Sequence, residues 1–141
     1  MPGRADRCPR LVLSADQLAF VAERHLATLT TLRADGSPHV VPVAFTWDAR
    51  VGRARITTRV TSVKARNVER AAAGGGLARA AVCQFDGQRW LTLEGSVTLS
   101  RDPADVAEAV EAYAVRYRRL EFQAERIVLY LAVDRVLGTV R

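Results

Sequence analysis

The sequence predicts a mainly-β, α+β fold, a six-stranded antiparallel barrel with about three flanking helices, on three observations. Asp35-Gly36 splits "LATLTTLRADGSPHVVPVAFTW" into two Thr/Val/Leu-rich runs, the strongest short-range hairpin signal. Asp86-Gly87 does the same within "ARAAVCQFDGQRWLTLEGSVTL". Three further segments carry helix caps and helical spacing of apolar residues. The 141 residues are 49% hydrophobic and 26% charged, enough for one domain with a buried core.

In chain order, residues 1–13 read as a loose arm and 14–141 as a single domain. Ser14 opens a helix, with Gln17 completing a capping box and Leu18, Val21, Ala22 and His25 at helical spacing. The first hairpin supplies two strands, and "RARITTRV" is a third. A helix is expected from about Thr61 to Ala73, ending in Gly74-Gly75-Gly76. The second hairpin follows. Asp102 then caps a helix with Pro103 at its first position. Val106, Ala109, Val110, Tyr113 and Tyr117 form its apolar stripe. Asp105, Glu108 and Glu111 lie early and Arg116, Arg118 and Arg119 late, as the helix dipole favours. "RIVLYLAV", apolar on both faces, is the sixth strand and should be covered on both sides.

Lys plus Arg number 21 against 15 Asp plus Glu, a net charge of +6. Such a chain is comfortable beside an anion: nucleic acid, an anionic membrane or a phosphorylated cofactor. Aromatics are only 6% and interleave with basic residues on no strand, which argues against a nucleic-acid-binding barrel. No run of about 18 apolar residues and no signal-peptide stretch is evident, so no membrane association and a cytoplasmic location are expected. Cys8 and Cys83 suggest neither disulfide framework nor metal pattern.

The stretch "TTRVTSVKARN" carries the most chemistry. A strand runs straight into a helix whose joint holds Arg59, Lys64 and Arg66, with no acid until Glu69. Free N–H groups give a helix start partial positive charge, so acids normally gather there. Helical geometry sets Val63, Lys64, Asn67, Val68 and Ala71 inward and Ser62, Arg66 and Glu69 outward. Thr61 or Ser62 is the N-cap. A phosphate held by amides, a hydroxyl and Lys64 would satisfy this arrangement, and a lysine snorkelling to water is the competing reading. Asn67, one turn on, would donate to the same ligand or tie down a loop.

Three segments together resemble the split-barrel flavin and deazaflavin proteins related to pyridoxamine 5′-phosphate oxidase. "LTTLRADGSPHVVPVAFTWD" is similar to that family's opening hairpin, with Gly36, Pro38, Val40, Pro42 and Val43 in its Gly-x-Pro-x-Val-x-Pro-Val pattern. "ITTRVTSVKARN" is similar to its third strand and Lys-x-x-Asn helix start, and "DGQRWLTLEG" to its next hairpin. The Gly74–Gly76 break and the "LARA" after it depart from the pattern as an insertion. Within the family the chain is most similar to the branch using coenzyme F420, a phosphorylated deazaflavin with an acidic tail.

The resemblance implies a split barrel, a homodimer with cofactor sites at the subunit interface, and hydride transfer from reduced F420 to a conjugated small-molecule acceptor such as biliverdin. It implies that Ile56, Thr57 and Thr58 border the deazaflavin ring and that Pro42 contacts it through the backbone. Ser62, Lys64 and Asn67 would hold the phosphate, and Trp90 would come from the partner subunit or the rim. FMN in the same fold, or a deazaflavin carrier without turnover, are the alternatives. No Ser-His-Asp arrangement or metal-spaced cluster is present in the sequence, which fits chemistry carried by a cofactor. His25 reads as packing or capping, His39 as exposed near the cofactor mouth, and Glu94-Gly95 as a strand bulge or a buried hydrogen-bond position.

Overall fold

The computed structural model describes residues 11–141, and of the expected arm residues 1–10 lie outside them. Leu13 is buried against the core and Leu11 packs partly against it. The elements run α1 (Ala15–Ala22), β1 (Ala27–Leu32), β2 (Pro38–Val43), β3 (Phe45–Asp48), β4 (Arg53–Arg59), α2 (Val63–Ala73), β5 (Ala78–Asp86), β6 (Arg89–Ser100), α3 (Pro103–Arg116) and β7 (Arg126–Thr139).

The described residues form seven strands, not six, in one antiparallel sheet of order β2-β1-β5-β6-β7-β4-β3. The extra strand arises because the second predicted run breaks at Ala44 into β2 and β3. These two lie at opposite edges of the hydrogen-bonded order, yet a single residue joins them. One residue spans only about 7 Å of chain, so the sheet must curl until its edges meet. The result is a half-barrel, closed covalently at Val43-Ala44-Phe45. Closure, a long-range demand, imposes the break.

β3 leaves β4 at the Phe45–Ile56 pair; beyond it Thr57, Thr58 and Arg59 pair with β7 alone. The barrel is split there, between β2 and the end of β4.

Both Asp-Gly turns form as expected, with Gly36 and Gly87 at positive φ of 85° and 61°. Gly95 sits at the register shift of β6 against β7, the bulge expected there, and a Cβ on it would meet the Ala132 carbonyl oxygen at 1.9 Å. β7 is buried on both faces, as its sequence demands. Ile127, Leu129 and Leu131 point into the barrel, whereas Val128 and Tyr130 pack with Ala109 of α3 outside it. Each such aliphatic side chain contributes about 1.5–3 kcal/mol by leaving water. β7 also continues to Thr139, six residues further than its apolar run, because β6 offers a pairing edge as far as Trp90.

Two sequence expectations are corrected in the helices. α1 has the Ser14–Gln17 capping box but stops at Ala22, so His25 lies beyond it and bonds the Glu23 carboxylate at 2.9 Å. In α2 the inward stripe is Ala65, Asn67 and Val68, while Val63 is half-exposed. The Ser62 cap makes Val63 the first helical residue, where the turn still faces solvent. No described helix is long and apolar enough to cross a membrane.

Candidate functional site

Ser62 is the N-cap of α2, its hydroxyl accepting from the Ala65 amide at 3.2 Å. The Val63 and Lys64 amides, first of the helix, have no intrahelical acceptor. Lys64 is half-buried, and among the described residues no hydrogen bond or ion pair reaches its ammonium. Burial holds its pKa below the ordinary lysine value. With no acid in the first turn, this is a partly desolvated cation beside unpaired amides. The arrangement suits a bound phosphate.

Thr57 and Thr58, both half-exposed, lead from the free edge of β4 into this turn. The Ser62 amide donates to the Arg59 carbonyl at 3.0 Å, closing strand onto helix. Ile56 is 1% exposed, so its side chain belongs to the core and only its backbone is available to border a ligand. Pro42 is exposed on β2, three residues before the Phe45 that pairs with Ile56. Pro42, Ile56, Thr57, Thr58, Ser62 and Lys64 therefore gather around the split.

Asn67 is buried, its amide donating to the Thr31 hydroxyl at 3.0 Å and accepting from Arg70 at 3.0 Å. It anchors α2 on β1, the loop-tying role that the sequence left open. Trp90 is 38% exposed at the hairpin end of β6, ten residues before Ser100, and no hydrogen bond or ring contact ties it to the 57–67 set. The structure does not bring it to Lys64 within one chain.

His39, set apart in the sequence reading, stands opposite Thr31 across the β1–β2 ladder. Its Nδ1 is buried and without a partner among the described residues. An orphaned nitrogen beside the residue that holds Asn67 marks His39 as a further candidate. The "SPHVVPV" alternation, which puts His39, Val41 and Val43 on one face, was the available signal.

A second charged cluster joins Glu23, His25 and Asp86 within 4.8 Å. Arg89 already occupies it, bonding both Glu23 carboxylate oxygens at 2.8 and 2.9 Å. Its hydrogen bonds, followed by that of His25, hold the Glu23 carboxyl down to about 2.

Fold and site together define an antiparallel half-barrel with a basic helix start at the mouth of its split. The chain belongs to the pyridoxamine 5′-phosphate oxidase family, whose profile matches residues 13–139. It is 48% identical over 127 residues to the F420H(2)-dependent biliverdin reductase of Mycobacterium tuberculosis (strain CDC 1551 / Oshkosh), covering 90% of this chain and 88% of that one. Among solved structures it is similar in fold to Rv2991 of M. tuberculosis, with TM-score 0.74, 19% identity and coverage of 94% and 88%. A protein called F420 reductase superposes with TM-score 0.67, 22% identity and coverage of 84% and 94%. At such identities these two speak for the fold alone.

Proposed function

We propose that the protein is an F420H2-dependent reductase that delivers a hydride to a conjugated acceptor, with biliverdin the first acceptor to test. Lys64 carries the reading: a half-buried lysine without a partner among the described residues, at a helix start without an acid, fits a phosphorylated ligand. The 48% identity to a protein named for F420H2 and biliverdin supports this choice of cofactor and acceptor.

Lys64, the Val63 and Lys64 amides and the Ser62 hydroxyl would hold the phosphate. Thr57, Thr58, the Ile56 backbone and Pro42 would border the ring, with Asn67 fixing the helix that presents the lysine. Bound there, the reduced deazaflavin supplies the hydride, so the chain needs no nucleophile of its own. Its contribution is position, charge and exclusion of water. A homodimer belongs to the same proposal: an exposed Trp90 remote from Lys64 in its own chain is available to a second copy's site.

Anaerobic oxidation of reduced F420, followed by its absorbance with and without biliverdin, tests the assignment. Acceptor-dependent oxidation supports a reductase. Tight binding without oxidation by any of a panel of conjugated acceptors would leave a carrier, and binding of FMN in preference would move the protein to flavin chemistry.

A further inference from the structure

α1, β3 and α3 line a pocket of about 450 Å³ that shares no residue with the Lys64 site. Small-molecule pockets usually span roughly 300–1,000 Å³. The walls are apolar, with Leu18 and Val21 from α1, Trp47 from β3 and Val115 from α3. Two polar side chains interrupt them, Thr46 and Arg116. Phe45 points into the barrel core, so strand alternation turns Thr46 to the outer face. Thr46 is 5% exposed, and among the described residues its hydroxyl has no hydrogen-bond partner. A buried hydroxyl left so is costly unless a guest meets it.

Arg116 brings charge to the same place. Its Nε and Nη2 donate to the Glu23 carbonyl at 2.9 and 2.7 Å, and Nη2 also to the Gln84 side-chain oxygen at 2.5 Å. Nη1 donates to the Phe45 carbonyl. These acceptors are all neutral, and among the described residues no carboxylate pairs with the guanidinium. Of the five N–H groups of a guanidinium, these four bonds leave one, on Nη1, without an acceptor. A half-buried cation held only by neutral groups favours an anion beside it.

We infer that this pocket is a second ligand site, taking a small monocarboxylic acid with an aromatic or branched-alkyl body. One free N–H and one free O–H match the two oxygens of a carboxylate, and the apolar walls take the body. A phosphate would keep unmet oxygens against those walls. The chain's own residues 1–10, with three arginines against one aspartate, have the wrong sign to fill the pocket. The β3–β4 pairs run from Phe45–Ile56, at the mouth of the split, to Asp48–Arg53. The pocket therefore lies on the side away from Thr57 and Thr58, and the inference does not depend on the cofactor.

The test titrates the full chain with 3-phenylpropionate and its neutral amide, following backbone and indole N–H signals by NMR. Expected for the acid are saturable shifts at residues 18–22, 46–49 and 112–116, with the amide binding about ten- to a hundredfold more weakly, as loss of a charge-assisted hydrogen bond predicts. Inorganic phosphate, drawn to Lys64, should not displace the acid. Arg116 also ties three elements together, so the variants leave it in place. Thr46→Val should weaken the acid about two- to tenfold while raising the melting temperature of the ligand-free protein. Val115→Glu, at a position 89% exposed, sets a like charge at the rim and should weaken the acid but not the amide. Equal affinity for acid and amide would overturn the inference, as would displacement by phosphate or shifts confined to the α2 start. An acid affinity unmoved by both variants would overturn it too.

Discussion

The Asn67 amide donates to the Thr31 hydroxyl at 3.0 Å, both groups buried and 36 residues apart in sequence. That one bond fastens the helix carrying Lys64 to the strand beneath it. Replacing Asn67 with Ala leaves the Thr31 hydroxyl buried and one acceptor for Arg70 removed. Expected is a loss of about 1–3 kcal/mol in urea unfolding, with the fold retained. If the helix start binds phosphate, ligand affinity falls as well, because Lys64 loses its platform.

Lys64 itself should trade stability for binding. Its pKa is lowered by burial, so the folded state releases this proton more readily than the unfolded chain. Stability of the ligand-free protein should therefore rise as pH climbs toward the ordinary lysine value of 10.5. The penalty is fully present below the folded pKa and vanishes above the unfolded one. Lys64→Met should remove that slope and stabilise the ligand-free protein at neutral pH while weakening ligand. Equilibrium unfolding of both proteins across alkaline pH reads the difference. A slope shared by both would assign it to another group.

At acid pH Glu23 gives a slope of the same sign, but as a charge that stabilises the fold rather than one that burial penalises. The Arg89 hydrogen bonds, and then that of His25, depress its pKa from 4.5 to about 2. The stabilisation it gives is present above 4.5 and lost as pH falls through about 2. Wild type should exceed Glu23→Gln in stability at neutral pH, with the gap closing over that window. The group is exposed, so added salt should shrink the gap throughout.

Backbone geometry gives a contrast between two glycines. Gly95→Ala drives a methyl into the Ala132 carbonyl and should cost on the order of 3 kcal/mol or more. Gly36→Ala meets no atom within 4 Å but must hold φ near +85°, costing about 1 kcal/mol. Thermal unfolding midpoints rank the two; equal shifts would mean that β6 and β7 relax around the added methyl.

What the sequence made legible was local. Asp35-Gly36 and Asp86-Gly87 carry their own turn chemistry, Ser14 and Gln17 their own cap, and Ser62 through Lys64 their own unmet charge. What stayed hidden depended on closure. The break at Ala44 exists because two sheet edges must meet, and no residue near it signals a turn. Arg116, read as a helix-end cation, is in fact largely shielded from solvent. It donates to the Glu23, Phe45 and Gln84 oxygens, contacts drawn from α1's exit, β3 and β5. The pocket around Thr46 and Arg116 was equally invisible, since it assembles from two helices and a strand. His39 was seen but not placed, because only the β1–β2 register sets it beside Thr31.

The most direct measurement is titration of wild type and Lys64→Ala with F420 and, separately, FMN, following Trp fluorescence. Expected are tight F420 binding by the wild type, a loss of about ten- to a hundredfold in the variant, and weaker FMN binding by both. F420 affinity unchanged by the substitution would contradict a phosphate site at the α2 start, and Lys64 would then be a lysine that reaches back to solvent.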